Sequence, residues 1–217
     1  MKQTLAGWLR KRKWGSRLLA LWALAGPDSY LIRTGWFDTY FKSMPVDAEG
    51  RAIPWYTYPA IAFLKERLHP GMSVLEYGSG NSTLWWSERV VNVISCEHDA
   101  DWYKLMQPKL PTNVEYLCET LEEGRKYANA ISRFPQKFDI VIIDGRDRVN
   151  CARNSVGALA PSGVIIWDNS DRDEYREGFL HLAEHGFRRL DFWGAGPINA
   201  YSWCTSILYR DGNCLRI

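Results

Sequence analysis

Ser73 to Ser82 reads Ser-Val-Leu-Glu-Tyr-Gly-Ser-Gly-Asn-Ser, a short apolar strand entering a glycine turn with a carboxylate, Glu76, just ahead of the first glycine. A Gly-x-Gly turn brings backbone close to a ligand, and dinucleotide-binding folds use it to seat a pyrophosphate on the following helix N-terminus. Glu76 would set like charge against that phosphate and suits a cation instead. The third glycine of the dinucleotide fingerprint is missing, because Thr83 stands there. A second carboxylate, Glu97, follows an apolar strand expected at 91–96, roughly twenty residues after the turn, where Rossmann-like folds place an acid on ribose hydroxyls. Together the two acids bracket a nucleoside that carries positive charge, a description met by S-adenosylmethionine with its ammonium and sulfonium. The plainer alternative is that Gly78 and Gly80 only turn the chain.

A further set of polar residues falls at later strand ends. The strand expected at 138–143 runs into Asp144-Gly145-Arg146-Asp147-Arg148, and the one at 163–167 into Asp168-Asn169. Ligand sites in open parallel sheets lie beyond the carboxyl ends of strands, so two acids and an amide converge there. These are hard oxygen donors that suit Mg²⁺, Mn²⁺ or Ca²⁺. Alternatively, Asp168-Asn169 caps a turn and Asp144 closes a strand. Arg146, Arg148 and Arg153 could bind an anionic substrate through forked hydrogen bonds, or pair with nearby surface acids. His181 and His185 stand one helical turn apart but have no third zinc ligand in view.

On these residues the chain resembles the class I S-adenosylmethionine-dependent methyltransferases, over about 61–208. Glu76, Gly78 and Gly80 match the glycine-rich motif of that family, and Glu97 its ribose-binding acid. The resemblance implies a cofactor site made by Glu76, Tyr77, Gly78, Ser79, Gly80, Ser82, Thr83, Glu97, His98, Cys118, Glu119 and Asp144, with Cys118 and Glu119 toward the adenine. The Asp and the Asp-Asn pair are similar to those of the metal-dependent catechol and caffeoyl-CoA O-methyltransferases. That likeness implies Asp144, Asp168 and Asn169 as ligands of Mg²⁺ or Mn²⁺ that acidifies a substrate hydroxyl. The chain departs from that branch at the lysine expected three residues after the first Asp, where Asp147 stands between Arg146 and Arg148. Arginine stays charged and is a poor proton acceptor. Asp144 and Arg146 are therefore the expected catalytic residues. Tyr56, Tyr58, Arg148 and Tyr201 are expected on the acceptor, a small molecule or saccharide, because aromatic faces with hydroxyl tips suit sugars and planar phenols.

The elements that would position these groups alternate. Strands are expected at 74–77, 91–96, 114–117, 138–143, 163–167, 187–193 and 202–209, and helices at 60–68, 82–89, 100–106, 121–131, 151–159 and 174–185. Such alternation predicts an α/β, Rossmann-like, doubly wound sheet with helices on both faces. The connector from Gly194 to Tyr201 is too short for a crossover, so the last strand should run antiparallel. The expected division is an N-terminal extension, 1–57, carrying a basic and aromatic helix and a substrate-side cap, and a methyltransferase domain, 58–217.

At 217 residues, nearly half of them apolar, the chain can bury a sizeable core. A net charge of +2 with no basic stripe in the catalytic region argues against a nucleic-acid substrate. The five scattered cysteines, Cys96, Cys118, Cys151, Cys204 and Cys214, fit reduced thiols in the cytoplasm, and Cys96, Cys118 and Cys204 read as small buried hydrophobes. Arg10, Lys11, Arg12, Lys13 and Arg17 precede an apolar run at 18–25 that is too short to span a bilayer. With Trp8, Trp14 and Trp22, residues 1–25 read as a membrane-surface helix, a helix packed on the domain, or an export signal. The expected function is O-methylation. The competing expectation is a non-catalytic scaffold of the same fold, docked on a membrane or partner through this segment.

Overall fold

The computed structural model describes residues 12–121 and 126–217. Trp8, Arg10, Lys11 and the start of the helix expected at 121–131 lie outside the described residues. Seven strands form one sheet: β1 Ser73–Tyr77, β2 Asn92–Glu97, β3 Val114–Cys118, β4 Phe138–Ile143, β5 Leu159–Asp168, β6 Arg188–Gly194 and β7 Trp203–Tyr209. Their order is β3-β2-β1-β4-β5-β7-β6. β4 lies at the centre, parallel to β1 and β5, and β7 inserts antiparallel between β5 and β6. The fold is therefore the expected one, parallel except for the last strand.

The side-chain alternation of strands divides the core into two layers. Leu75, Tyr77, Ile94, Val141, Ile143, Ile165 and Trp167 pack on one face of the sheet. Val74, Val93, Ile140, Ile142, Val164 and Ile166 pack on the other with Trp85, Trp86 and Tyr56. Because central strands are buried on both faces, β4 and β5 are near-continuous apolar runs. By the same alternation, Glu76 and its register partner Ser95 fall among the second set, inside the protein.

Several boundaries differ from those expected. β5 begins at Leu159 rather than 163, with a register shift against β4. Gly163 permits this, since a Cβ there would lie 2.7 Å from Leu159 and 2.9 Å from the Phe138 carbonyl. The helix expected at 151–159 starts earlier, at Arg148, because Asp147 adopts a left-handed backbone (φ +47°) that turns the chain at once. After Lys126–Asn129 the chain tightens into a 3₁₀ turn, Ala130–Arg133. The aromatic stretch ahead of Pro45, where no helix was among those expected, contains two short ones, Tyr30–Arg33 and Trp36–Lys42. Ser29 caps the first by accepting from Ile32 N at 3.1 Å, and Gly35 (φ +76°) opens the second.

This N-terminal segment is stitched to the loops at the carboxyl edge of the sheet. Trp36 Nε1 donates to Asn199 O (2.9 Å), Ile198 N to Thr39 Oγ1 (2.8 Å), Asn81 Nδ2 to Pro45 O (2.7 Å) and Thr57 N to Thr205 Oγ1 (3.0 Å). Residues 36–57 thus roof the strand ends. All five cysteines are free, but Cys118 is exposed and not the buried hydrophobe expected, because it ends the edge strand β3. Among the described residues no helix is long and apolar enough to cross a membrane.

Candidate functional site

β1 delivers the chain to Gly78, whose φ of +97° and surroundings both require glycine. A Cβ there would sit 3.1 Å from Gly145 N and 3.2 Å from the Asp144 carbonyl. Gly145 is equally constrained, since its Cβ would fall 1.9 Å from the Tyr127 hydroxyl. Two turns, after β1 and β4, are thereby held in contact. Gly80 differs: the nearest atom to a Cβ there is Trp102 at 3.9 Å, so open space rather than strain surrounds it.

Behind the turn, Glu76 is fully buried. Its Oε2 accepts from Thr83 Oγ1 (2.5 Å) and Ser95 Oγ (3.1 Å), whereas Oε1 has no partner. Thr83 Oγ1 in turn accepts from Gly80 N (3.1 Å), which gives a physical reason for a hydroxyl where the dinucleotide fingerprint has glycine. Burial pushes the Glu76 carboxyl up to about 7. A buried carboxylate with an unpartnered oxygen beside a tight turn fits a ligand ammonium and opposes a phosphate.

Glu97 is the last residue of β2 and is 4% exposed. Its Oε1 accepts from His98 N (2.8 Å) and Asp99 N (3.0 Å), and its Oε2 from Ser79 Oγ (2.6 Å). Tyr116 Oη lies 2.7 Å from the same Ser79 hydroxyl. Gly78, Ser79, Glu97, His98, Gly145 and the exposed Arg146 line a cavity of about 270 Å³. Seven of the twelve expected cofactor residues do not line it: Gly80 and Ser82 line a second, larger cavity, Glu76 and Thr83 are buried behind the turn, and Tyr77, Cys118 and Glu119 are directed elsewhere. The Tyr77 side chain points into the core, where its hydroxyl donates to Ala128 O (2.8 Å). Cys118 faces outward, and Glu119 pairs with Arg133.

The ends of β4 and β5 hold the group that most alters the sequence reading. Arg148, 8% exposed, reaches back across its own helix start. Its Nε donates to Gly145 O (2.9 Å), its Nη2 to Asp144 O and Oδ1 (both 3.1 Å), and its Nη1 to Asp168 O. The Asp168 carboxylate, 3% exposed, accepts from Thr205 Oγ1 (2.5 Å) and Trp203 Nε1 (3.0 Å). Burial raises the proton affinity of both carboxyls; Asp144 raises that of Asp168 further, and Arg148 opposes the rise in each.

This arrangement weighs against the metal reading of Asp144, Asp168 and Asn169. A guanidinium pairs with Asp144 and donates to backbone carbonyls at the ends of β4 and β5, and Oδ1 of Asp168 is held by two neutral donors. Among the described residues no group of three or more His, Cys, Asp or Glu is placed to hold a metal ion. Asn169, in a left-handed turn (φ +50°), uses its carbonyl to accept from Arg172 N (3.2 Å). Once an activity is in hand, turnover after exhaustive EDTA treatment should match that of untreated protein. Loss on chelation with recovery on Mg²⁺ would restore the metal.

Arg148, expected on the substrate, has four of its five N–H donors engaged by the protein. Tyr56 is fully enclosed, its hydroxyl 3.5 Å from Trp86 Nε1, and Tyr58 is 4% exposed, edge-on to Tyr30. Neither lines a cavity. Tyr201 does, together with Trp55, Trp102, Met44, Asn81, Asn199 and Arg172, around about 480 Å³ bounded below by Asp144, Arg148, Asp168 and Asn169. Trp102 and Arg172 were not anticipated. Trp102 sits three residues past the helix-capping Asp99 and holds the glycine turn through Nε1 to Ser79 O (3.0 Å). A groove of about 520 Å³ runs along Arg176–Glu184, and the one buried hydroxyl in its lining, Ser170, is already bonded to Cys204 O (3.2 Å) and Ser206 Oγ (2.6 Å).

No protein-family model matches the chain, and no curated protein matches it. Solved structures do. Precorrin-6y C5,15-methyltransferase from Geobacter metallireducens matches with a TM-score of 0.56 at 15% identity, over 70% of this chain and 87% of that one. An rRNA methylase from Streptococcus thermophilus matches with 0.52 at 14% identity, over 70% and 97%. Spermidine synthase from Thermotoga maritima matches with 0.51 at 16% identity, over 68% and 56%. At these identities the likeness is one of fold: the chain has the seven-stranded, Rossmann-like α/β architecture that these methyltransferases share with a spermidine synthase.

Proposed function

We propose that this protein is an S-adenosylmethionine-dependent methyltransferase that acts on an oxygen of a small or saccharide-like acceptor. One observation carries the reading: the cavities of about 270 and 480 Å³ share Ser79, Asp144, Arg148 and Arg172 as a common wall. A nucleoside half and an acceptor half would therefore meet at Asp144. The residues fit the cofactor, with the unpartnered Glu76 oxygen behind the turn and Glu97 on the smaller cavity. When bound, S-adenosylmethionine supplies a methyl group activated by its sulfonium. The protein's task is alignment of the acceptor and removal of its proton. Asp144, raised in proton affinity yet kept ionisable by Arg148, takes that proton, while Trp55, Trp102 and Tyr201 offer faces for a ring. Arg172 lines both cavities, where it can pair with an anionic group on the acceptor.

Isothermal titration with S-adenosylmethionine tests the reading at its base, and one-to-one binding is expected. Glu97→Gln should weaken it roughly tenfold or more, because a charge-assisted bond to the ribose hydroxyls is worth about 1.5–3 kcal/mol. Glutamine can still accept from His98 N and Asp99 N, so the fold should persist. No detectable binding by the parent would leave the scaffold reading. Equal binding by parent and variant would remove Glu97 from the ribose.

A further inference from the structure

We propose that the N-terminal helix Lys13–Leu24 docks this protein on the surface of an anionic bilayer. The helix is mounted with its apolar stripe facing away from the protein. Trp14, Leu18, Leu21 and Trp22 stand at i, i+4, i+7 and i+8, one face of a helix, and are 50–79% exposed. Gly15, which has no side chain, is the one buried residue of the helix. The second aromatic helix repeats the pattern, with Phe37, Tyr40 and Phe41 at i, i+3 and i+4, and Phe41 89% exposed. An apolar stripe that faces the core needs no partner, but one displayed to water beside bulky aromatics marks an interaction surface.

Charge selects the partner. Of the chain's 27 Lys and Arg residues, six stand before Asp28, where no acid stands, and the remaining 21 face 25 acids. A basic segment on an otherwise acidic chain is drawn to a negative surface, and Lys13 and Arg17 flank the apolar stripe on the helix. Nucleic acid would satisfy the charges but leave Leu18, Leu21 and Trp22 in water. A bilayer with anionic headgroups satisfies both, since the stripe sinks to the acyl boundary while lysine and arginine stay at headgroup level. Ser43 and Met44, two and three residues beyond Phe41, line the larger cavity, so the exposed segment leads directly into the acceptor wall.

Flotation of the full chain on lipid vesicles is the test. The protein should float with vesicles of phosphatidylcholine containing phosphatidylglycerol and stay behind with phosphatidylcholine alone. Raising the salt to about 1 M, where screening acts within about 3 Å, should weaken the association. Lys13→Gln with Arg17→Gln should weaken it roughly fivefold per charge removed. Leu18→Ser, Leu21→Ser and Trp22→Ser together should weaken it roughly a hundredfold or more. Circular dichroism should show both variants folded with the parent's unfolding midpoint, since every altered side chain is exposed. Failure to float with anionic vesicles overturns the proposal, as does equal flotation with neutral ones. So does a dimer of the parent that the triple variant dissolves, which would give the stripe to a second copy. Flotation needs neither cofactor nor turnover, so its failure leaves the proposed activity standing.

Discussion

Replacing Arg148 with methionine is expected to destabilise the fold by about 3–5 kcal/mol at neutral pH, the range for removing one member of a buried charge cluster. In a chain of this size that lowers Tm by roughly 10 °C or more. The loss comes less from the guanidinium than from what it leaves behind: the Asp144 carboxyl and three backbone carbonyls lose a donor, and the Asp168 carboxyl loses a neighbouring positive charge. Methionine keeps most of the volume, so packing changes least. The pH dependence separates the charge effect from packing. Both carboxyls have proton affinities raised by burial, so the stability they allow is fully present below the ordinary aspartate range and is lost as pH rises through the raised values. Arg148 limits that loss in the parent. The Tm deficit of the variant should therefore be small near pH 5 and grow toward pH 8. A deficit equal at both ends would assign Arg148 to packing alone and would reopen the strand ends to a metal ion.

What the sequence disclosed follows from how deeply each element is buried. β1, β4 and β5 are buried on both faces of the sheet, so their apolar runs are nearly continuous, broken in β1 by Glu76, and their ends are legible to within a few residues. The antiparallel β6 and β7 pair was legible from a connector too short for any crossover. The helices Tyr30–Arg33 and Trp36–Lys42 were not, because their aromatic spacing follows a solvent-facing stripe and their starts depend on Ser29 and on a left-handed Gly35. In the site, strand-end position was enough to bring Glu76, Glu97, Asp144 and Asp168 to one edge of the sheet. Side-chain direction was not. Trp55 and Tyr56 are neighbours, yet one lines the cavity and the other is enclosed, a distinction set by the fold of the roof. Arg148 illustrates the same limit. Its i, i+4 spacing from Asp144 was the available signal for an ion pair. Nothing in that spacing indicated that the arginine would also span to Asp168 and stand where the resemblance implied a metal.

Asp144→Asn should lower kcat by roughly 10²–10⁴, the usual worth of a positioned general base, while cofactor affinity stays within about twofold. Asparagine keeps an oxygen for Arg148 Nη2, so the loss would report proton removal and not collapse of the cluster. The parent's kcat should rise with pH along a limb placed above the ordinary aspartate range, because Asp144 must be ionised to accept a proton and its burial resists that ionisation. In the variant that limb should vanish, leaving a slow rate that follows the acceptor's own ionisation. Asp168, whose proton affinity the Asp144 charge raises further, is still protonated when Asp144 ionises, so Asp168→Asn should leave the limb in place and kcat on the plateau nearly unchanged. A limb that persists in Asp144→Asn, together with full activity there, would strip Asp144 of any part in proton transfer. The acceptor's proton would then leave directly to water, and the residues at the ends of β4 and β5 would serve only to hold Arg148 and the cavity floor.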